Sequence, residues 1–299
     1  MAVGAKIVNE PVGNVMEVRH ESDAGTWTLA RMSAPAMLRP WVLEYTGYRE
    51  ISAKQSIVRR EVPSTVVGLI INFGSPFSIV DPLPNADWQL RSTFIAGLHE
   101  RPALVASDGN AYCLQIDFTP LGACRFFNSS LAAINHATTP LSDVLGNDGS
   151  LWIEQLQHCG SWQQRFALVS QYLVKRFANA TQPKPEVEKA WELLQQSKGR
   201  IKITKLAQYL NCSREYCSRL VKNELGMAPK SLAKVIRFET ALQLHAAGHT
   251  SLADLAVICG YSDQAHFNTE CKTLSGSTPK QLFRRYQPES GIIESSAGL

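Results

Sequence analysis

Two short stretches in the last third of this 299-residue chain carry side chains that can read nucleic-acid bases. One holds Arg214, Glu215, Ser218, Arg219 and Lys222, and the other holds Gln264, Ala265, His266, Asn268, Thr269 and Lys272. Arginine pairs bidentately with guanine, asparagine and glutamine pair the same way with adenine, and lysine neutralises phosphates. Ser213 precedes the first set and Ser262 or Asp263 the second, where a short oxygen-bearing side chain caps a helix. The other chemistry-bearing residues are dispersed. Cysteines 113, 124, 159, 212, 217, 259 and 271 include no CxxC pair and read as buried thiols of a reduced compartment. His245 and His249 straddle Gly248 without a third ligand nearby, so they read as surface histidines; no metal and no cofactor is expected.

The elements that must position these residues repeat. LAQYLNCS (206–213) aligns with LAVICGYS (255–262), and KNELGMAP (222–229) with KTLSGSTP (272–279). Each copy reads as a short apolar helix, a tight turn, a second helix and a Gly-x-x-Pro stop. The 3.6-residue period turns Cys217 and Val221 inward in one second helix and Phe267 and Cys271 inward in the other, leaving the base-reading sets outward. Between the copies, 229–247 reads as one connecting helix with Leu232, Val235, Ile236, Ala241, Leu242 and Leu244 as its apolar set. Its length suits two recognition helices about one turn of DNA apart.

Charge supports this reading. Residues 184–287 hold 16 Lys and Arg against 9 Asp and Glu, a balance of +7, whereas the remainder carries −3. TQPKPE (181–186) reads as a linker, which divides the chain into 1–180, a basic domain at 187–287 and a flexible tail at 288–299. The start, MAVGAKIVNEPVGNVMEVRH, has no apolar signal core, and no stretch is long and apolar enough to span a membrane; a cytoplasmic protein is expected.

The segment 201–285 resembles the DNA-binding domain of the AraC/XylS family of bacterial transcription regulators. Within ADLAVICGYSDQAHFNTECKTLSGSTPKQLFRR, residues Leu255, Ala256, Gly260, Tyr261, Ser262, Phe267, Lys272, Gly276, Thr278, Pro279 and Arg284 stand at the family's signature places. The resemblance implies an all-α domain with two helix-turn-helix motifs joined by a long helix. Its implied partners are double-stranded DNA and, for an activator, RNA polymerase. Thr269 replaces a usual arginine, acidic Glu270 follows it, and Cys271 replaces an aromatic. The first recognition helix, with Arg219, is therefore expected to dominate, and Glu270 to oppose binding.

In the first 180 residues, TWTLARM, STVVGLIINF, FSIVDP, TFIAGL, PALVAS and AYCLQIDF read as strands of a small antiparallel sandwich or barrel. Helices follow, and in the last Trp162, Phe166, Val169, Leu173 and Phe177 form a stripe that is either core or a dimer seam. The layout resembles the cupin-like sensor half of many AraC-type regulators, an α+β unit with flanking helices. That resemblance implies a small-molecule effector, expected in the sheet interior, and a homodimer. His99 is followed by Glu100 and Arg101 with no partner histidine, so the His-x-His of enzymatic cupins is absent. No enzyme is expected; the alternative is a cysteine-based redox sensor or enzyme domain fused to the DNA-binding module. A further rival is a scaffold that uses the repeat without touching DNA.

Overall fold

The computed structural model describes residues 8–12, 15–22, 25–50, 56–80, 87–133, 141–249, 251–287 and 291–294; residues 1–7 of the amino-terminal stretch lie outside these. Strands β1 (Val8–Val12), β2 (Val15–Ser22), β3 (Gly25–Ser33), β4 (Val42–Glu50), β5 (Ile57–Glu61), β6 (Val67–Asn72), β7 (Phe77–Val80), β8 (Gln89–Arg91), β9 (Phe94–Ala96), β10 (Ala103–Ser107) and β11 (Tyr112–Phe118) come first. They form two antiparallel sheets, one in the order β1, β2, β3, β4, β11, β6, β9, the other containing β5, β10, β7 and β8. Strand β6 is buried along its whole length because both of its faces are covered. Ile70 joins Phe77, Ile79, Phe94 and Cys113 between the sheets, while Leu69 and Ile71 join the larger core beneath the helices. The N-terminal half is thus an α+β sandwich.

Helix α1 (Pro120–Phe127) starts where Thr119 accepts from the Gly122 N–H at 3.0 Å and Pro120 fixes the first turn. Gly122 is seated so closely on Trp41 that a Cβ there would lie 1.9 Å from the Trp41 carbonyl oxygen. Helix α2 (Leu141–His158) bends at Gly146, φ 64°, and is followed by α3 (Trp162–Ala178). The stripe on α3 is core. Phe166, Val169, Leu173 and Phe177 are buried, and Phe166 lies 5.8 Å from Tyr45 of the sheet, centroid to centroid.

Between the sheets sits a polar knot. The buried Glu50 carboxylate accepts from Tyr48 Oη at 2.6 Å, from Ser107 Oγ at 2.9 Å, from the Ala111 backbone N–H at 3.3 Å and from Arg59 at 3.4 Å. These partners satisfy a charge that burial alone would make costly. Tyr48, Glu50, Arg59 and Ser107 thus fill this part of the space between the sheets. Among the described residues, two cavities lie against the helices.

The helical half comprises α4 (Pro185–Gln196), α5 (Ile203–Tyr209), α6 (Arg214–Leu225), α7 (Pro229–Ala246), α8 (Leu252–Ile258), α9 (Gln264–Ser275) and α10 (Pro279–Arg285). Helix α4 begins inside the expected linker, since Val187, Ala190, Trp191 and Leu194 give it a buried face. The expected flexible tail 288–299 requires correction at 291–294, while 288–290 and 295–299 lie outside the described residues. Strand β12 (Tyr286–Gln287) pairs with β13 (Gly291–Glu294), and β13 adds to β5 with Ile292 opposite Arg60. An unpaired strand edge offers backbone donors and acceptors, and Ile292 buries itself there. The halves also touch through Thr65, whose N–H and Oγ each donate to Glu239 at 2.8 Å. Among the described residues no helix is long and apolar enough to cross a membrane.

Candidate nucleic-acid interface

The two repeats fold as helix-turn-helix units. In the first, α5 buries Leu206 and Ala207, Asn211 turns the chain at φ 50°, and Ser213 caps α6 by accepting from the Tyr216 N–H at 3.1 Å. In the second, α8 buries Leu255 and Ala256, Gly260 makes the turn at φ 78°, and Asp263 caps α9 by accepting from the His266 N–H at 2.7 Å. Gly226 and Gly276 end the two second helices in the left-handed region, and Pro229 and Pro279 open the next ones. Helix α7 runs 18 residues, about 27 Å at 1.5 Å per residue. Leu232, Val235, Ile236, Phe238, Ala241 and Leu242 give it the buried face against which both units pack.

Of the base-reading set, Arg214, Glu215, Arg219 and Lys222 are exposed on α6 and Ser218 is half-buried. On α9, Gln264, Ala265, Thr269 and Lys272 are exposed, whereas His266 and Asn268 are half-buried. Some of these groups are already engaged. Thr269 Oγ donates to the Ala265 carbonyl at 3.0 Å, and His266 Nε2 lies 3.2 Å from Glu270. Ser213 and Asp263 are exposed and serve as the N-caps of the two helices.

Glu270 differs from its expectation as a free anion beside DNA. Its side chain is 13% exposed and forms a salt bridge to Arg237 of α7 at 3.0 Å. Arg237 also donates to the Gly199 carbonyl at 3.1 Å and lies over the Tyr261 ring at 5.3 Å. Glu270 therefore fastens α9 to α7 and to the turn before α5. One exposed aromatic escaped the residue sorting: Tyr216 on α6, with the Arg219 guanidinium 5.7 Å from its ring centroid. Its three-residue offset from Arg219 is the signal that pairs neighbours on a helix surface.

The Asp263 carboxyl is held below its ordinary value, chiefly by the His266 backbone N–H. A carboxyl lowered in the folded state contributes stability that is fully present above its unfolded value and fades as pH falls. The Tm gap between wild type and Asp263→Ala should thus be full above about pH 5 and close as the pH drops further. Thermal melts across this range check it.

A family model described as a helix-turn-helix domain matches residues 206–285, and one described as a domain of unknown function (DUF6597) matches 30–140. The invasion protein InvF of Salmonella typhi and Salmonella typhimurium is 33% identical over 90 residues. That stretch is 30% of this chain, and the chain spans 42% of the length of these curated relatives. Among solved structures, the C-terminal domain of AraT, a response regulator from Geobacillus stearothermophilus, is 30% identical over 39% of this chain and 94% of that one, TM-score 0.33. ToxT from Vibrio cholerae is 12% identical over 86% and 97% of the two chains, TM-score 0.45.

Two helix-turn-helix units on one connecting helix, each exposing its second helix, place the chain among DNA-binding proteins of the helix-turn-helix class. The helix-turn-helix match spans the signature residues from Leu255 to Arg284, and the chain belongs to the AraC/XylS family of transcription regulators.

Proposed function

We propose that this protein is a sequence-specific regulator that sets α6 and α9 into adjacent major grooves of double-stranded DNA. Residues 187–287 form its DNA-binding domain, and the N-terminal half takes a small-molecule effector or makes a homodimer. The observation that carries the reading is the pairing of exposed base-reading side chains on α6 and α9 with buried inner faces, in two units built to one plan. An activator of this kind would also engage RNA polymerase. Fluorescence anisotropy with the full chain over a salt series tests it. Binding DNA by neutralising phosphates makes log K fall by about 0.9 per decade of salt for each phosphate. A flat salt response would favour the scaffold reading.

The cysteine alternative meets an obstacle in the thiols. Burial pushes Cys113 and Cys124 up to about 12, and Cys217 and Cys271 up to about 11. A thiol so raised is protonated at neutral pH and a poor nucleophile. Native-state labelling with a thiol reagent at neutral pH should leave all four slow, with denaturant restoring the full reaction. A single fast thiol among them would favour the redox reading.

A further inference from the structure

Each second helix ends in carbonyls that its own turns cannot pair, since the last four of an α-helix lack an intrahelical donor. In both units the N-terminal half reaches one of them. Cys124 of α1 donates its Sγ–H to the Glu224 carbonyl in the last turn of α6 at 3.5 Å. Arg60 of β5 donates from Nη1 to the carbonyl of Ser275, the last residue of α9, and to Ser277 Oγ, both at 3.2 Å. A cation at this end of a helix is also favoured by the helix dipole. The fit is close, because a Cβ on Gly276 would lie 3.0 Å from Arg60 Nη1.

The second unit is strapped down at the same place. Helix α10 ends at Arg285 and β12 begins at Tyr286, so no slack separates the unit from the strands that follow it. Strand β13 then lies along β5 with Ile292 opposite Arg60 and 1% exposed. On its other side β5 pairs with β10, so β13 closes an edge that would otherwise be unpaired. Two more attachments reach α7 from the N-terminal half: Thr65 on Glu239 at 2.8 Å, and Glu100 with Lys234 at 3.7 Å. All of them avoid the reading faces. Arg214, Arg219 and Lys222 on α6, and Gln264, Ala265 and Thr269 on α9, stay exposed while the two halves are joined.

We propose that Arg60 and the strap β13 are positioning elements for DNA reading: from the N-terminal half they fix α9, so that α6 and α9 meet DNA at one set spacing. This rests on the reading of α6 and α9 as recognition helices in adjacent major grooves. A second contact tethered at the correct spacing binds at a high effective concentration, which falls when the tether must first be ordered. Adding one base pair between half-sites moves one of them by about 3.4 Å and turns it by roughly 35°. A rigid head resists that change, and a loosened one follows it.

The test uses the full chain and the duplex it enriches most strongly from random-sequence DNA, with three derivatives: each half scrambled in turn, and one base pair inserted between the halves. Arg60→Ala removes both hydrogen bonds to the end of α9, and Ile292→Asp puts a charge at the buried strap position. Each should weaken the intact duplex by about fivefold or more, change affinity for either scrambled duplex by less than about twofold, and lose less on insertion than wild type loses. Ser277→Ala deletes only one of the two Arg60 bonds and should show the same pattern at smaller size; it decides the matter if the larger changes do not fold. Equal losses on intact and scrambled duplexes, or an insertion penalty equal to that of wild type in every folded variant, overturns the proposal. A wild-type chain that enriches no sequence overturns the regulator reading itself, and the positioning role with it. Wild-type enrichment of a bipartite duplex that the variants bind unchanged overturns the positioning role alone.

Discussion

Arg219→Ala should weaken specific DNA binding about 5- to 150-fold, corresponding to the roughly 1–3 kcal/mol that a good bidentate base contact contributes. Arg219 is exposed at mid-helix on α6, and the Tyr216 ring beneath it limits the conformations its guanidinium must give up on binding. The same truncation on α9 removes less. Asn268 is half-buried, and its Oδ1 is shielded from solvent without a hydrogen-bond partner, so only part of its amide is available to a base. Purified Arg219→Ala and Asn268→Ala, titrated at one salt concentration with specific and nonspecific duplexes, give the comparison. Arg219→Ala should lose more affinity for the specific duplex than for the nonspecific one. A larger loss for Asn268→Ala would reverse the ranking of the two helices.

Glu270→Ala should destabilise the protein by about 3 kcal/mol, the low end of what removing one partner of a buried ion pair costs. It leaves Arg237, 15% exposed, without its carboxylate, and takes from His266 the group 3.2 Å away. Glu270→Gln keeps two hydrogen-bonding atoms and should cost less. Neither variant should gain DNA affinity, because the charge removed is turned toward α7 rather than toward phosphates. The readouts are Tm, expected to fall by about 10 °C for the alanine variant, and the affinity of the folded fraction. Tighter binding of Glu270→Gln to every duplex at unchanged Tm would restore the free-anion reading.

The Glu270 case shows what one-dimensional reading misses. Sorting by inward pairs such as Phe267 and Cys271 leaves position 270 unassigned, although it lies three residues after Phe267 and four before the buried Leu274, at the edge of the inner face. Its partner Arg237 is 33 residues away on another helix, and no local period points to it. The repeat itself was legible because turns, caps and stops recur together: Ser213 caps as its position implied, Asp263 rather than Ser262 caps the second helix, and Gly226 and Gly276 stop both.

In the N-terminal half the apolar strands were readable, but β4, central to its sheet, was not. Its sequence VLEYTGYRE alternates buried with half-exposed polar residues and turns Tyr48 and Glu50 toward a polar knot instead of an apolar core. Strand β13 escaped for another reason. Its place is set by the free edge of β5, more than two hundred residues earlier in the chain, and a short segment bounded by polar residues gives no local sign of that pairing.

The central claim is that two recognition helices on one connecting helix read one continuous site. Selection of bound duplexes from random-sequence DNA by the full chain tests it most directly. The expected result is enrichment of a bipartite motif whose halves are centred about 10–10.5 base pairs apart, and Arg219→Ala should erase the guanine-bearing half while keeping the other. No enriched sequence, or a motif of one half-site unchanged by Arg219→Ala, would contradict it.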